Sequence, residues 1–344
     1  MATIRDVAAR AGVAISTVSA ALNKSGPVSA ATRNRVIAAA EAVGYVPNAM
    51  ARGLKSRSSP YIGFVVGDLT NPYVGTVLRV IEKAASAARM AVIVSDNDDS
   101  LERERVALDL LSAQQVAGVI ISPIGCDDEY RARLAGFGAP LVTFDQKIAG
   151  LNRDFVGTDS LLASHMLTAY LLRLGHRRIA YIGGRPGLWS ADMRRRGFIE
   201  TMQQQRVRVE PDWTVIAGYR SEPAYRACVS ILSGRRRPTA ILAANNVMAL
   251  GALQAINDLG FRCPADISLV SIDDVPWSGV VKPRLTMVAQ PVTEIAQIAV
   301  DWLLERIAPG GNRLAARERV LPPRLIRGES CADLRSLGSV SLAV

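Results

Sequence analysis

Five polar side chains stand where short apolar segments of the sequence end, and carboxylates and amides of this kind bind hydroxyl groups or cations. These residues are Asp68, Asp96, Asp145, Asn245 and Asp273. The apolar segments, such as YIGFVVG and DISLVSIDD, alternate with helical stretches, which predicts the strands of parallel sheets. Ligands of such sheets bind beyond the carboxyl ends of the strands. The sequence therefore predicts a small-molecule site at these ends.

Motifs for catalysis, metal binding and nucleotide binding are incomplete. The stretch DNDDS from Asp96 resembles the start of a calcium loop but lacks its central glycine and closing glutamate, so we interpret it as a solvated turn. The stretch GGRPG has neither the GxGxxG spacing nor the lysine of a phosphate loop. The two histidines, His165 and His176, accompany no GxSxG or HExxH motif. We expect no enzyme, no metal and no cofactor, although α/β lobes often host enzymes.

The cysteines and the chain start indicate a reducing compartment. Cys126, Cys228, Cys263 and Cys331 form no CxxC pair, so we interpret them as reduced thiols. The N-terminal stretch MATIRDVAARAG has no hydrophobic signal core, and no apolar run is long enough to span a bilayer. We expect a cytoplasmic protein without a membrane partner.

Three short helices must fold the N-terminal segment. The pattern predicts helices over Ile4–Ala11 and Ile15–Leu22, and a third after Ser29 to about Val43. Thr3 followed by Asp6 three residues later is typical of the start of a helix, and Gly12 is typical of the end of one. Two helices joined by a tight glycine turn, with a third for support, are typical of a helix-turn-helix. The expected core residues are Val7, Ala8, Ala11, Val18, Leu22, Val36, Ala40 and Val43.

Positive charge is concentrated in this N-terminal segment. Residues 1–60 carry eight basic and two acidic residues, whereas the other 284 residues carry 33 basic and 29 acidic ones. A basic terminal module suggests a polyanion partner, although a charge bias can also be a solvated face. After it, Asn48 can cap a short helix that Gly53 weakens, and SRSSP is a linker. From Tyr61 onward, about six strand–helix units in two series predict two α/β lobes.

The residues of both regions closely resemble the lactose-repressor (LacI/GalR) family. The resemblance lies in TIRDVAARAGVAISTVSAALN and VSAATRNRVIAAAEAVGYVPNAMARGLKSR, and in IGFVVGDLTNPY, LLRLGHRRIAYIGG, RRRGF, AANNVMALGAL, DISLVSIDD and LIRGES. It implies an all-α helix-turn-helix head and an α/β core of two doubly wound parallel-sheet lobes, similar to periplasmic sugar-binding proteins. The implied divisions are a head (1–46), a hinge helix and linker (47–60), an N-terminal lobe (61–161 plus about 291–320), a C-terminal lobe (162–290 plus about 321–330) and a tail (331–344).

The resemblance gives the second helix its role, which is to lie in the major groove of DNA. Ile15, Ser16 and Ala20 fall on the base-facing positions. Ile15 and Ala20 cannot donate hydrogen bonds but can contact thymine methyl groups, so we expect DNA shape to supply much of the specificity. Helix packing is the alternative for Ile15 and for Ala20. The expected phosphate contacts are Thr3 (capping is an equal alternative), Thr17, Ser19, Asn23 and Arg33.

The resemblance also implies a role in DNA binding for the weak helix that follows the head. In the family it folds when two chains meet on DNA, and Leu54 matches the leucine that wedges into the minor groove. Asn48, Arg52 and Lys55 are expected to support it at the DNA backbone. An exposed linker leucine is the alternative for Leu54.

The resemblance also implies a small ligand, usually a sugar or nucleobase in this family, that binds between the two lobes. The motif matches that suit a sugar are Asn71, Tyr73, Ser190, Arg194, Asn245 and Asp273. Trp189 is a further stacking candidate, with core packing as its alternative. Arg220 stands where several relatives have an aromatic ring; facing the cleft, it would favour a sugar acid or sugar phosphate, and a solvent-facing arginine is its alternative.

The leading interpretation is a ligand-responsive repressor of carbohydrate-related genes that binds a pseudo-palindromic operator in double-stranded DNA. The effector can act as an inducer or as a corepressor in this family. The C-terminal residues show no clear leucine heptad, so a homodimer is the default. A periplasmic-type sugar-binding protein and, less well supported, an α/β enzyme are the alternatives.

Overall fold

A computed structural model describes residues 2–23, 26–45 and 59–337 of the chain. It divides into two compact units, residues 1–60 and residues 61–344. The predicted hinge residues Asn48, Arg52, Leu54 and Lys55 lie outside the described residues.

Three helices form the first unit, and side-chain caps mark the start of the first and the third. They are α1 (Ile4–Ala11), α2 (Ile15–Leu22) and α3 (Ala30–Ala42). Thr3 N and Thr3 Oγ1 both donate to Asp6 Oδ2, over 2.7 and 2.9 Å. Gly12 ends α1 in the left-handed region at φ 60°, where glycine has no steric penalty. Ser29 Oγ accepts from Thr32 N at the start of α3. Local signals thus fix α1 and the start of α3, and all three helices lie close to the residues that the sequence predicts.

The three helices bury one small core. Its buried residues are Val7, Ala8, Ala11, Val18, Ala21, Val36, Ala39 and Ala40. Leu22 and Val43 pack against it while partly exposed. A core made mostly of alanine and valine brings the helices close together but buries little area, so each cap contributes a sizeable share of the stability.

Twelve strands and nine helices build the second unit within the described residues. The strands are β1 (Tyr61–Val66), β2 (Ala91–Asp96), β3 (Gly118–Ile121), β4 (Leu141–Phe144), β5 (Asp154–Thr158), β6 (Ile179–Gly183), β7 (Thr214–Ile216), β8 (Ala240–Ala243), β9 (Ser268–Ile272), β10 (Thr286–Ala289), β11 (Glu318–Leu321) and β12 (Arg324–Ile326). The helices are α4 (Pro72–Ala87), α5 (Leu101–Ala113), α6 (Asp128–Ala135), α7 (Ser160–Arg173), α8 (Trp189–Gln204), α9 (Ser221–Leu232), α10 (Asn246–Asp258), α11 (Val292–Ile307) and α12 (Leu334–Leu337).

The strands form two six-stranded sheets, one in each lobe. The first sheet has the order β11-β5-β4-β3-β1-β2, and all its strands are parallel. The second has the order β12-β10-β9-β8-β6-β7, and only its edge strand β12 is antiparallel. Most central strands are buried along their whole length, because helices cover both faces of such sheets. This confirms the predicted fold class, and the antiparallel edge is an addition to it.

The chain crosses between the two lobes three times. It leaves the first sheet after β5, returns after β10 to form α11 and β11, and leaves again to form β12. Helix α11 packs its apolar side, including Ile295 and Leu303, into the core of the first lobe. The crossings bring the carboxyl ends of both sheets to a shared cleft. Among the described residues, no helix is long and apolar enough to cross a membrane.

Candidate functional site

A cavity of about 90 Å³ lies between the lobes at the carboxyl ends of their strands. Its polar lining residues are Asp68, Asn71, Tyr73, Asp99, Ser122, Asp145, Gln146, Ser190, Arg194, Tyr219, Asn245, Asp273 and Gln290. Val66, Val74, Ile124, Phe144 and Leu188 supply apolar walls. An apolar wall with a few convergent polar groups is typical of a small-molecule site. Six of the eight residues that the sequence assigns to the effector line this cavity.

Helix starts place three of these residues. Asn71 caps α4, where its Oδ1 accepts from Tyr73 N over 3.0 Å, and Pro72 fits the first helical turn because its φ is fixed. Asn245 caps α10 in the same way, with Oδ1 accepting from Met248 N over 2.9 Å. Strand-to-helix junctions therefore hold Asn71, Tyr73 and Asn245 at the cavity.

Backbone strain marks three further lining residues. Asp145, Tyr219 and Asp273 have φ of 60°, 65° and 76°, a region that residues other than glycine seldom adopt. Asp145 and Asp273 each follow directly after a buried strand, β4 and β9. Such strain persists only where surrounding contacts fix it, and it concentrates at ligand sites.

A buried guanidinium and two carboxylates set the charge of the cavity. Arg194 is only 3% exposed, and its Nη1 donates to Ala244 O over 2.7 Å. Burial alone would lower the pKa of Arg194, but nearby Tyr219, Asp273 and Asp145 raise it above the ordinary value, so the guanidinium stays charged. Burial raises the pKa of the Asp145 carboxyl, which Arg194 partly offsets. Gln290 Nε2 donates to Asp273 Oδ1.

Three buried polar atoms of the lining have no hydrogen-bond partner among the described residues. They are Tyr73 Oη, Arg194 Nε and Gln290 Oε1. Burial, followed by the charges of Asp145 and Asp273, raises the pKa of Tyr73 well above its ordinary value, so this hydroxyl keeps its proton. A buried polar group without a partner costs free energy. A ligand that pairs with these atoms would recover that cost.

Hydrogen bonds also join the two lobes at the cavity. Asn246 Nδ2 of the second lobe donates to Asn71 Oδ1 of the first over 3.1 Å. Gln146 of the first lobe bonds to Ser190 of the second, whose Oγ lies 3.2 Å from Tyr219 Oη. Lining residues therefore hold the lobes together as well as face the cavity.

Two residues assigned to the effector from the sequence do not line this cavity. The ring of Trp189 packs edge-on against Phe155, with the ring centroids 5.4 Å apart. Arg220 lies against two carboxylates of the other lobe: Nη2 is 2.7 Å from Asp98 Oδ1 and 3.0 Å from Asp99 Oδ2. Arg220 therefore pairs across the cleft instead of lining the cavity, and its assignment to the effector stays a prediction.

The exposed side of α2 carries the residues assigned to DNA bases. Ile15 is 45% exposed and packs into no core, and Ser16 is also exposed. Ser16, Thr17 and Ala20 line an open groove on the head together with residues of the segment 27–32. Ala14, at the N-cap of α2, makes no side-chain capping bond, so this helix start lacks the stabilisation that serine would give.

The residues assigned to phosphates have varied surroundings. Thr3 bonds to Asp6, as its capping alternative requires. Asn23 Nδ2 donates to Ser19 Oγ over 3.3 Å, which places both residues at the end of α2. Arg33 is half-buried, and its Nε has no partner among the residues described.

Sequence reasoning missed several lining residues. Asp99, Gln146, Tyr219 and Gln290 were not predicted, and Asp68 and Asp145 were noted only as polar strand ends. Gln146 and Gln290 come within two residues of the ends of β4 and β10, so their position after buried strands was the available signal. Tyr219 had no such signal, because the left-handed turn that directs it is visible only in the structure.

Comparison with known proteins covers both units. Residues 3–48 match bacterial regulatory proteins of the lacI family, and residues 168–331 match a periplasmic binding protein-like domain. The HTH-type transcriptional repressor PurR of Proteus mirabilis (strain HI4320) is 32% identical over 97% of this chain and 98% of its own length.

Solved structures match over the same length. The lac repressor dimer bound to operator and the anti-inducer ONPF has a TM-score of 0.83 at 28% identity, covering 96% of this chain and 99% of that one. The complex of the transcriptional regulator CelR with cellobiose has a TM-score of 0.71 at 26% identity, covering 96% and 100%. The chain therefore belongs to the lacI family of bacterial regulatory proteins, and it is a DNA-binding regulator with a ligand-binding core and not an enzyme.

Proposed function

We propose that the chain is a cytoplasmic repressor that binds a pseudo-palindromic operator as a homodimer and responds to a small polyhydroxylated effector. A neutral sugar or close relative of one occupies the cavity between the lobes and changes the affinity for DNA. PurR of Proteus mirabilis, a relative that matches nearly the whole chain, is named as a repressor. A two-fold symmetric protein matches a palindromic site because each protomer reads one half of it.

The observation that carries the effector class is the set of unpartnered atoms in the cavity. Tyr73 Oη both donates and accepts, Arg194 Nε donates, and Gln290 Oε1 accepts. Hydroxyl groups donate and accept, so adjacent hydroxyls on one molecule satisfy all three atoms. The apolar wall that includes Phe144 suits the apolar face of a sugar ring.

The charge of the lining favours a neutral ligand. Asp68, Asp145 and Asp273 line the cavity with one guanidinium, that of Arg194, and the fourth lining carboxylate, Asp99, pairs with Arg220. An anionic ligand would bring further negative charge into a site of low dielectric, which is costly without a free cation. This argument replaces the expectation of a sugar acid or phosphate. The sugar in the CelR–cellobiose complex is neutral, which agrees with it.

On the DNA side, we propose that Ile15, Ser16 and Ala20 contact base edges and that Thr17, Ser19, Asn23 and Arg33 contact phosphates. An exposed isoleucine at the start of a helix fits a thymine methyl group. Two of the three base-facing side chains lack hydrogen-bond donors, so the DNA shape supplies a large share of the specificity. Leu54 as a minor-groove wedge remains a prediction.

Linkage connects the two sites. The ligand changes the lobe arrangement because it touches residues of both lobes, and the lobe arrangement changes the affinity for the operator. Whatever factor the ligand applies to DNA binding, DNA applies the same factor to ligand binding. This reciprocity holds for an inducer and for a corepressor.

A thermal-shift panel tests the effector class. The purified chain is heated with neutral mono- and disaccharides, with aldonates and sugar phosphates, and with nucleobases. A ligand at about 100 times its Kd stabilises a protein by about 2.7 kcal/mol, which gives a measurable shift. We expect shifts only with neutral sugars. A shift only with anionic sugars or only with nucleobases would overturn the neutral-sugar proposal.

A further inference from the structure

A tight turn after β2 presents two carboxylates at the rim of the cleft. Asp98 and Asp99 are both left-handed, with φ of 51° and 54°. Side chains of the preceding residues hold the turn: Asp96 Oδ1 accepts from Asp98 N over 2.9 Å, and Asn97 Oδ1 accepts from Asp99 N over 3.0 Å. Two consecutive strained residues persist only where their surroundings fix them.

A buried network fixes the turn from below. Asn97 and Glu104 are fully buried, and Asn97 Nδ2 donates to Glu104 Oε2 over 2.7 Å. Tyr130 Oη donates to the other carboxyl oxygen of Glu104. The amide of Asn97 is therefore held at both ends, and the carboxylates of Asp98 and Asp99 have a preorganised direction.

Two arginines of the second lobe meet this turn. Arg220 Nη2 bridges Asp98 Oδ1 and Asp99 Oδ2, over 2.7 and 3.0 Å. Arg185 Nη2 donates to Ile124 O over 2.8 Å, and its Nη1 lies 3.5 Å from Asp99 O. These contacts join the lobes through charge, whereas the contacts of Asn246 and Gln146 join them through neutral groups.

The contact between this turn and Arg220 lies at the edge of the cavity in both lobes. Asp99 lines the cavity, and so does Tyr219, the residue before Arg220. Burial raises the pKa of the Asp99 carboxyl, and Arg220 and Arg185 oppose that effect. If Arg220 moved away from the turn, the half-buried Asp99 carboxylate, which lies near Asp68, would lose its main counter-ion. The wall of the cavity formed by Asp99 and Tyr219 would then open.

We propose that Arg220, supported by Arg185, and the Asp98–Asp99 turn form an ion-pair latch that holds the two lobes together across the cleft. A ligand enters only after this latch opens. The statement about ligand entry rests on the proposed function, but closure by the latch does not. High salt weakens the latch, because the charges are partly exposed and are screened by ions.

An ordinary surface ion pair contributes little to stability. The latch can hold the lobes together only if its ion pairs are stronger than ordinary surface pairs. It differs in two respects. One guanidinium nitrogen serves two carboxylates, and the turn that carries them is fixed before the lobes meet. Less side-chain entropy is therefore lost when the pairs form.

Pulsed electron paramagnetic resonance on the full chain without ligand tests the latch. Spin labels are attached through E82C on α4 and Q203C on α8, two exposed positions in different lobes, with C126S removing the exposed native thiol. Labelled chain is diluted with unlabelled chain so that only distances within one protomer are read. The variants are R220M and, independently, D98N/D99N. The control is R226M, which removes an exposed arginine paired with Glu222 on the same helix.

We expect R220M and D98N/D99N to lengthen and broaden the distance distribution by several ångströms, and R226M to leave it unchanged. Added salt should lengthen the distance in the parent chain and have no further effect in R220M. Identical distributions in the parent, R220M and D98N/D99N would overturn the latch. That result would leave the thermal-shift test of the ligand unaffected, so the two proposals fail separately.

Discussion

Gln146 of the first lobe holds Ser190 of the second through two hydrogen bonds. Gln146 Nε2 donates to Ser190 Oγ over 2.6 Å, and Ser190 N donates to Gln146 Oε1 over 3.1 Å. Both residues are buried and both line the cavity. A molecule in the cavity therefore acts on the residues that hold the lobes together, which is the physical requirement for coupling between ligand and lobe arrangement.

Replacement of Tyr73 by phenylalanine should weaken effector binding without destabilising the ligand-free protein. The hydroxyl of Tyr73 has no partner among the described residues, so its loss removes no hydrogen bond of the empty protein. A hydrogen bond to a ligand contributes about 1 kcal/mol, so we expect about a fivefold rise in Kd. Calorimetric titration measures the Kd, and thermal unfolding without ligand measures the stability.

Tyr181→Phe is the matched control. Tyr181 Oη is also buried without a partner in the described part of the chain, but this residue stacks on Phe198 in the core of the second lobe and does not line the cavity. It should leave the Kd unchanged. An equal loss of affinity in both variants would mean that the hydroxyl of Tyr73 does not contact the ligand.

Glu104 should make the protein less stable as the pH rises. Burial raises the pKa of this carboxyl from its ordinary 4.5 to about 7, although Tyr130 and other donors oppose the effect. Between these values the folded protein binds more protons than the unfolded chain. The free energy of unfolding then falls with pH by up to about 1.4 kcal/mol per unit, and levels off above about pH 7.

Denaturant unfolding of Glu104→Gln across this range measures that contribution. The variant should be less dependent on pH than the parent, because an amide neither gains nor loses a proton. Glu102→Gln, which changes an exposed carboxyl on the same helix, is the control and should follow the parent. Parallel curves for the parent and Glu104→Gln would exclude Glu104 as the group that titrates.

Replacement of Ala14 by serine should stabilise the helix-turn-helix head. Ala14 occupies the N-cap of α2 and makes no capping bond, whereas a serine oxygen would accept from the backbone of the first turn. The expected gain is about 0.5–2 kcal/mol. Hydrogen exchange of the α2 amides in the full chain measures it, and Ala14→Val, which adds no acceptor and is as poor an N-cap residue as alanine, should give no gain.

Ala20→Arg should change which bases the protein prefers. Ala20 is half-exposed beside Ser16 and Thr17 on the groove of the head, and an arginine there would reach the edge of a guanine with two hydrogen bonds. One such contact discriminates by about 1–3 kcal/mol. Selection of bound DNA by both proteins should show a guanine newly preferred at one position in each half-site. Unchanged preferences would show that position 20 does not face a base.

The sequence predicted the head well because its signals are local. Thr3, Gly12 and Ser29 each start or stop a helix through contacts within a few residues, and the observed helices begin and end close to the expected positions. Alternating apolar runs likewise predicted two lobes of parallel sheets, which the structure confirms. The antiparallel edge strand β12 was not predicted, because three residues near the C-terminus carry too little pattern.

Lining residues of the cavity were predicted only where they belong to a recognisable sequence motif. The ion pairs of Arg220 were not predicted, because its partners, Asp98 and Asp99, lie about 120 positions away in the other lobe and no spacing within the sequence relates them. Tyr219 was missed for a similar reason. Long-range pairing and turn geometry decided these residues, and neither can be deduced from local pattern.

Selection of tight-binding duplexes from a random DNA library, by the purified full-length chain near physiological salt, tests the central claim most directly. The selection is run without ligand and with each sugar that raises the melting temperature. A sequence-specific homodimer predicts an enriched palindrome with a flexible central step, whose enrichment changes when the effective sugar is present. Salt-sensitive binding with no enriched sequence, under every one of these conditions, would contradict a ligand-responsive operator-binding regulator.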